Sequence, residues 1–119
     1  MRSTFQRGLG ADELRLRAAR GLVVEILEAV WARVSRGDAP TLQMQVEMRS
    51  SATYATEIAV EIVTRAFRSG GGSALYESSV LARCLRDMNA AAQHLMVSDV
   101  AYELQGKMAL GLPDVDPMS

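Results

Sequence analysis

Apolar residues recur along this chain at helical spacing, broken in only a few places. From Asp12 onward, Leu16, Ala19, Val23, Ile26 or Leu27, Val30 and Val34 follow one another at steps of three and four. That spacing puts them on one helical face. Arg17, Glu25, Glu28 and Arg33 fall on the opposite face. Asp12 and Glu13 suit the start of this first helix, and Arg33 and Arg36 its end, because the helix dipole favours acids first and bases last. Gly37-Asp38-Ala39-Pro40 stops it. Residues 1–10 lack periodicity and end in Gly-Leu-Gly, which predicts a loose arm.

Thr41 can cap a second helix running to about Arg68. Its inner stripe is Leu42, Val46, Thr53, Thr56, Val60, Val63 and Phe67, with Glu47, Glu57, Glu61 and Arg65 outside. Ser50, Ser51, Ala52, Ala55 and Ala59 are small enough to admit a neighbouring helix closely. Ser78 or Ser79 can cap a third helix with the apolar face Leu81, Cys84, Leu85, Met88, Ala91 and Ala92. A shorter fourth helix starts at Ser98-Asp99, points Val100, Leu104 and Met108 inward, and ends at Gly111. No strand pattern competes and no repeat is visible. The expected fold is all-α, an antiparallel up-down four-helix bundle over residues 11–112, with a tail at 113–119.

Composition narrows the partners. Hydrophobic residues make up 49% of the 119, with Ala and Leu leading, which favours helix and allows a single modest core. With 13 basic and 14 acidic residues spread evenly, there is no basic stripe for a nucleic acid. The single cysteine, Cys84, excludes an intrachain disulfide, and one histidine leaves no Cys/His metal cluster. No apolar run approaches the roughly 20 residues that span a bilayer. Met1 and its followers lack a signal-peptide core, so a soluble cytoplasmic protein is expected.

Candidate chemistry concentrates in residues 70–94, which open on three glycines, carry the neighbours Arg86 and Asp87, and end on His94. The glycines serve either as a helix cap and hinge or, with Ser73, as a backbone cradle for an anion. His94 is either a histidine stabilised by a helix C-terminus or an acid/base and hydrogen-bonding group. Arg86 and Asp87 cannot face each other on a helix, so each is expected to pair with another helix. Cys84 reads as a small core residue, and Trp31 and Phe67 as core.

Three pieces then carry a resemblance: GGGSALYESS, LARCLRDMNAAAQH and YELQGKMALGL. Together they resemble the C-terminal helical domain of the acyl-CoA dehydrogenase superfamily, and within it the flavin-dependent two-component monooxygenases. The first two helices fit the same domain, so the resemblance covers nearly all of the chain after residue 11. It implies that Gly72 and Ser73 lie in the loop that touches the flavin, often from a neighbouring subunit. It implies that His94 sits beside the flavin ring and the substrate, with Leu95 bordering the same site. There His94 would assist deprotonation of a phenol-like substrate or hydrogen-bond the oxygenated flavin. The implied cofactor is reduced FMN from a separate reductase, with FAD as the alternative. The implied partners are a small aromatic substrate, the reductase, and further copies of the chain, a tetramer in full-length relatives.

Two departures matter. Dehydrogenases of the superfamily carry a glutamate in this region, whereas Ala92-Gln93-His94-Leu95 contains no carboxylate, which favours the monooxygenase branch. Val80 stands where a proline commonly opens the third helix. The superfamily's N-terminal helical and middle β domains do not precede this bundle, so a truncated, split or stand-alone chain is expected, inactive alone. The alternatives are an acyl-CoA dehydrogenase-type domain or a non-catalytic, self-associating bundle.

Overall fold

The computed structural model describes residues 2–69, 80–93 and 99–118. They form four α-helices: α1 (Arg2–Ser35), α2 (Leu42–Ser69), α3 (Val80–Ala92) and α4 (Asp99–Ala109), with no strand among the described residues. The all-α four-helix expectation is met. Its organisation centres on α2: α1, α3 and α4 each pack on it, and no other pair of helices is in contact among the described residues.

Local chemistry explains the helix ends. At Gly37, with φ of 88°, the chain turns left-handed. The Gly37 amide donates to the Val34 carbonyl and the Asp38 amide to Arg33, the paired bonds of a Schellman cap. Gly111, with φ of 69°, repeats the device on α4, its amide donating to Met108 and that of Leu112 to Lys107. Thr41 caps α2 as expected, its hydroxyl oxygen accepting from the Met44 amide at 3.1 Å.

The structure corrects the arm expected at 1–10. From Arg2 these residues are the first turns of α1. Gly8 and Gly10 weaken a helix, by about 1 kcal/mol each relative to alanine, but α1 here runs beside the end of α2. Asp12 bonds Arg65 and Arg15 bonds Glu61, so α1 and α2 are antiparallel and tied together at this end. At 34 residues and about 1.5 Å each, α1 also sets the 51 Å length of the molecule.

Because α2 is the one helix that α1 packs on among the described residues, the covered seam of α1 is narrow. Ala19 is buried and Val23, Ile26 and Val30 are half-buried, but Leu16, Leu27 and Val34, expected inside, are exposed. Trp31, expected in the core, is 73% exposed. It stands twelve residues beyond Ala19, about 120° around the helix, and so clears the α2 contact.

Among the described residues the core is made of aliphatic side chains, half of them alanine: Ala19, Val46, Ile58, Ala82, Ala101 and Leu104. Buried hydroxyls satisfy themselves on their own helix, Thr53 donating to the Arg49 carbonyl at 3.1 Å and Ser51 to that of Met48 at 3.2 Å. The buried Arg49 donates to the Pro117 carbonyl at 3.2 Å and holds the tail against α2. Glu57, Glu61 and Arg65, expected on a solvated face, instead make links to α4 and α1. Arg86 and Asp87 are both exposed on α3, and no ion pair joins either to another described residue, contrary to the expected interhelical pairing.

Candidate functional site

Gly72, Ser73, His94 and Leu95 lie outside the described residues, as do the caps Ser78, Ser79 and Ser98. What the structure describes is the frame around them. Residue 70 leaves from Ser69, the last residue of α2. Just before His94, the Gln93 amide donates to the Ala90 carbonyl at 3.1 Å, closing α3 with a tight turn. Cys84 on α3 is half-buried and free. Among the described residues, no group of three His, Cys, Asp or Glu could hold a metal ion, and no helix is long and apolar enough to cross a membrane.

Beside Ser69, the start of α1 and the end of α2 enclose an open cavity of about 360 Å³, walled by Phe5, Leu9, Ile62 and Ala66. This is at the small end of the range for ligand pockets. Its polar edge is Asp12, which accepts from Arg65 Nε at 2.9 Å and a second time from the same guanidinium. These bonds from Arg65, opposed by partial burial and aided by Arg15, hold the Asp12 carboxyl below the ordinary carboxylate value. A carboxylate so stabilised is a poor proton acceptor near neutrality, so its work is to hold charge and position. Phe5 and Leu9 belong to the stretch expected as an arm. Phe5 and Leu9 stand four residues apart, on one face of a helix, but two apolar positions separated by Gly8 make too short a pattern to mark the start of α1 in the sequence.

A second cavity of about 300 Å³ opens between α1, α2 and α4, lined by Leu22, Ile26, Glu47, Tyr54 and Tyr102 among others. The Tyr102 hydroxyl donates to Glu57 Oε2 at 2.7 Å. Burial first, then Glu57, pushes its phenol well above the ordinary tyrosine value, so it stays a protonated donor rather than a base. Beneath it the Ser50 hydroxyl donates to Gln105 Oε1 at 2.6 Å. Both bonds are structural ties between α4 and α2.

Residues 2–99 match the family model described as acyl-CoA dehydrogenase, C-terminal domain. The chain belongs to that family. The match takes in α1, α2 and α3 and stops at the first residue of α4. Over 110 residues the chain is 34% identical to the indole-3-acetate monooxygenase of Pseudomonas putida, covering 92% of itself and 28% of that protein. The crystal structure of a 3-HSA hydroxylase from Rhodococcus sp. RHA1 has the same fold over 88% of this chain and 30% of that one, with a TM-score of 0.63 at 23% identity. The chain therefore spans less than a third of the length of either relative.

Proposed function

We propose that this chain is the C-terminal domain of a flavin-dependent monooxygenase that hydroxylates a small aromatic substrate with reduced flavin and O2. The observation that carries the reading is the 34% identity to a monooxygenase over 92% of the chain, within a matched dehydrogenase-family domain. Reduced FMN from a separate reductase is the proposed cofactor, with FAD the alternative. Bound there, the flavin supplies the chemistry of oxygen activation.

This chain's residues bind and orient. Gly72 offers a backbone N–H and Ser73 a hydroxyl, donors that suit the polar edge of a flavin, and both follow Ser69, which lines the Phe5–Leu9 cavity. Its apolar wall suits one side of an aromatic ring system. His94 holds or accepts the proton of a phenol-like substrate's hydroxyl, and Leu95 borders the same site. The absence of a carboxylate in residues 92–95 favours this over α-proton abstraction from an acyl thioester.

The test grafts this domain in place of the corresponding one in the indole-3-acetate monooxygenase and compares it with its His94→Ala form. Hydroxylation should fall about 10²–10⁴-fold, the usual worth of a positioned acid or base. Stability should change by no more than about 1 kcal/mol, the scale of a lost helix-end interaction. Unchanged turnover would return His94 to a structural role. A second reading, a bundle whose task is self-association, draws on the exposed Leu14, Leu16, Leu27 and Trp31 of α1.

A further inference from the structure

The cavity between α1, α2 and α4 is a gap that the helix order leaves open. Helices α1 and α4 both pack on α2 but not on each other among the described residues, so the groove between them has α2 as its floor. Leu22, Glu25 and Ile26 of α1 line it at positions i, i+3 and i+4, which share one helical face. Tyr102 and Gln105 of α4 line the other wall at i and i+3. On the floor α2 presents the buried Ser50 and Ser51, side chains short enough to leave about 300 Å³ open.

What this cavity lacks is positive charge. Glu25 and Glu47 line it and no Lys or Arg does, so the lining carries a formal charge of −2. Acids elsewhere in the fold are matched, Asp12 by Arg65, Glu61 by Arg15 and Glu103 by Lys107. No ion pair or hydrogen bond joins the Glu25 carboxylate to another described residue. Glu47 accepts a neutral bond, from Gln43 Nε2 at 3.1 Å. The phenol of Tyr102 feels the same excess: burial, then Glu57, Asp99 and Tyr54 all hold its proton on, and no base among the described residues acts against them. The floor's own polar groups are already satisfied, Ser50 by Gln105 and Ser51 by the Met48 carbonyl.

Charge of one sign above apolar walls focuses its field on an incoming cation. Leu22 and Ile26 offer hydrocarbon, and Tyr54 and Tyr102 offer two rings, whose faces attract a cationic nitrogen. A hard metal ion is poorly served, since it takes about six or more oxygen ligands and no group of three His, Cys, Asp or Glu stands together among the described residues. The volume lies at the lower limit for ligand pockets, which suits a body of about one ring.

We propose that this cavity binds a small organic amine, protonated near neutrality, with its ammonium group held by Glu25 and Glu47 and its apolar body against Leu22, Ile26 and Tyr54. The amine supplies the charge that the fold leaves out and displaces water from the hydrocarbon walls. The proposal does not rest on the monooxygenase reading and needs one copy of the chain.

Titration with phenethylammonium chloride at low ionic strength, followed by two-dimensional NMR, tests it. The shifts saturate and gather on the amides of Ser50, Ser51, Tyr54, Tyr102 and Gln105. Phenethyl alcohol and hydrocinnamate, which keep the ring but not the positive charge, leave those amides unmoved at the same concentrations. Glu25→Gln/Glu47→Gln weakens the amine about tenfold, the scale of two partly exposed ion-pair contacts. Tyr54→Leu weakens it by a smaller factor, the share of one ring. None of these three side chains is buried, so helicity by circular dichroism stays as in the parent. Glu13→Gln removes an exposed acid outside the cavity and leaves binding unchanged. Shifts that never saturate, an equal response to phenethyl alcohol, undiminished binding by Glu25→Gln/Glu47→Gln, or equal weakening by Glu13→Gln overturns the proposal.

Discussion

Leu104→Ala should detach α4 before it unfolds the protein. Leu104 is 3% exposed and lies on α4, which among the described residues packs on α2 and no other helix. The substitution removes buried carbon worth about 2.4 kcal/mol at roughly 0.8 per methylene. The cavity left behind brings the expected loss to about 3 kcal/mol, low in the range for leucine truncations. What remains at the interface is the buried Ala101, the Tyr102 bond to Glu57 and the Ser50 bond to Gln105. Each bond contributes only about 0.5–1.5 kcal/mol net. An isolated helix shorter than about 12–15 residues is marginal in water, and α4 has 11. Once its main contact is lost, the cheapest response is for α4 to open alone.

Hydrogen exchange read residue by residue is the assay. A loss of about 3 kcal/mol corresponds to roughly a hundredfold faster exchange in α4, with smaller changes in α1 and α2. Leu110→Ala is the control, since Leu110 at 76% exposed should change stability by no more than about 0.5 kcal/mol. If α4 amides in Leu104→Ala exchanged as slowly as in the parent, α4 would be held by something other than this contact. If all helices accelerated equally, α4 would be part of the global cooperative unit. Either result would refute the hub-and-spoke account of α2.

Three more outcomes are expected. Asp12→Asn should cost about 0.2–1 kcal/mol, the worth of an exposed ion-pair contact, and a double-mutant cycle with Arg65→Met should show the two positions coupled. Because Asp12 is held below its ordinary value of 3.8, its contribution is complete above that pH and is lost as pH falls through the lower, folded value. Urea melts should therefore show the parent and Asp12→Asn converging in strong acid. Gly111→Ala should destabilise by about 1–2 kcal/mol, since φ of 69° forces alanine into the left-handed region. Gly10→Ala should do the opposite, gaining about 0.5–1 kcal/mol, because Gly10 lies inside α1 with open space where a side chain would go. A loss at Gly10, or no change at Gly111, would contradict the backbone described. Thr41→Ala should cost about 1 kcal/mol through the lost cap on α2.

The helices and their stops were largely legible in the sequence. Thr41, Gly37 and Gly111 each act through their own backbone neighbourhood, and such local chemistry survives without knowledge of the fold. The site was legible only through resemblance. A lone histidine after a run of alanines has no local physics that separates a helix-end charge from a catalytic group, and His94 itself lies outside the described residues. The start of α1 is not legible because residues 1–10 lack apolar periodicity and end in Gly-Leu-Gly, while the contact with α2 that lies beside them is not visible in the sequence.

The burial pattern of α2 went astray for a different reason. A single apolar stripe is the signature of a helix covered on one side, but Arg49, Ser50 and Ser51 are consecutive and all buried. Three successive residues sweep about 200° of a helix, so no single stripe describes α2. Its charged row shows the consequence. Glu57, Glu61 and Arg65 advance about 40° around the axis at each four-residue step, enough to carry the row from the α4 side to the α1 side. Glu57 accordingly meets Tyr102 of α4, while Glu61 and Arg65 meet Arg15 and Asp12 of α1. On α2, a row that looks solvated is paired because two helices flank it. On α1 the row Arg17, Arg20, Glu25 and Glu28 is equally charged, but no helix of the described fold lies over it. Charge alone does not distinguish a solvated face from an unfilled one. The arrangement does: a solvated helix favours opposite charges four residues apart, whereas Arg17 and Arg20 stand together here, as do Glu25 and Glu28, and no ion pair joins any of the four to another described residue.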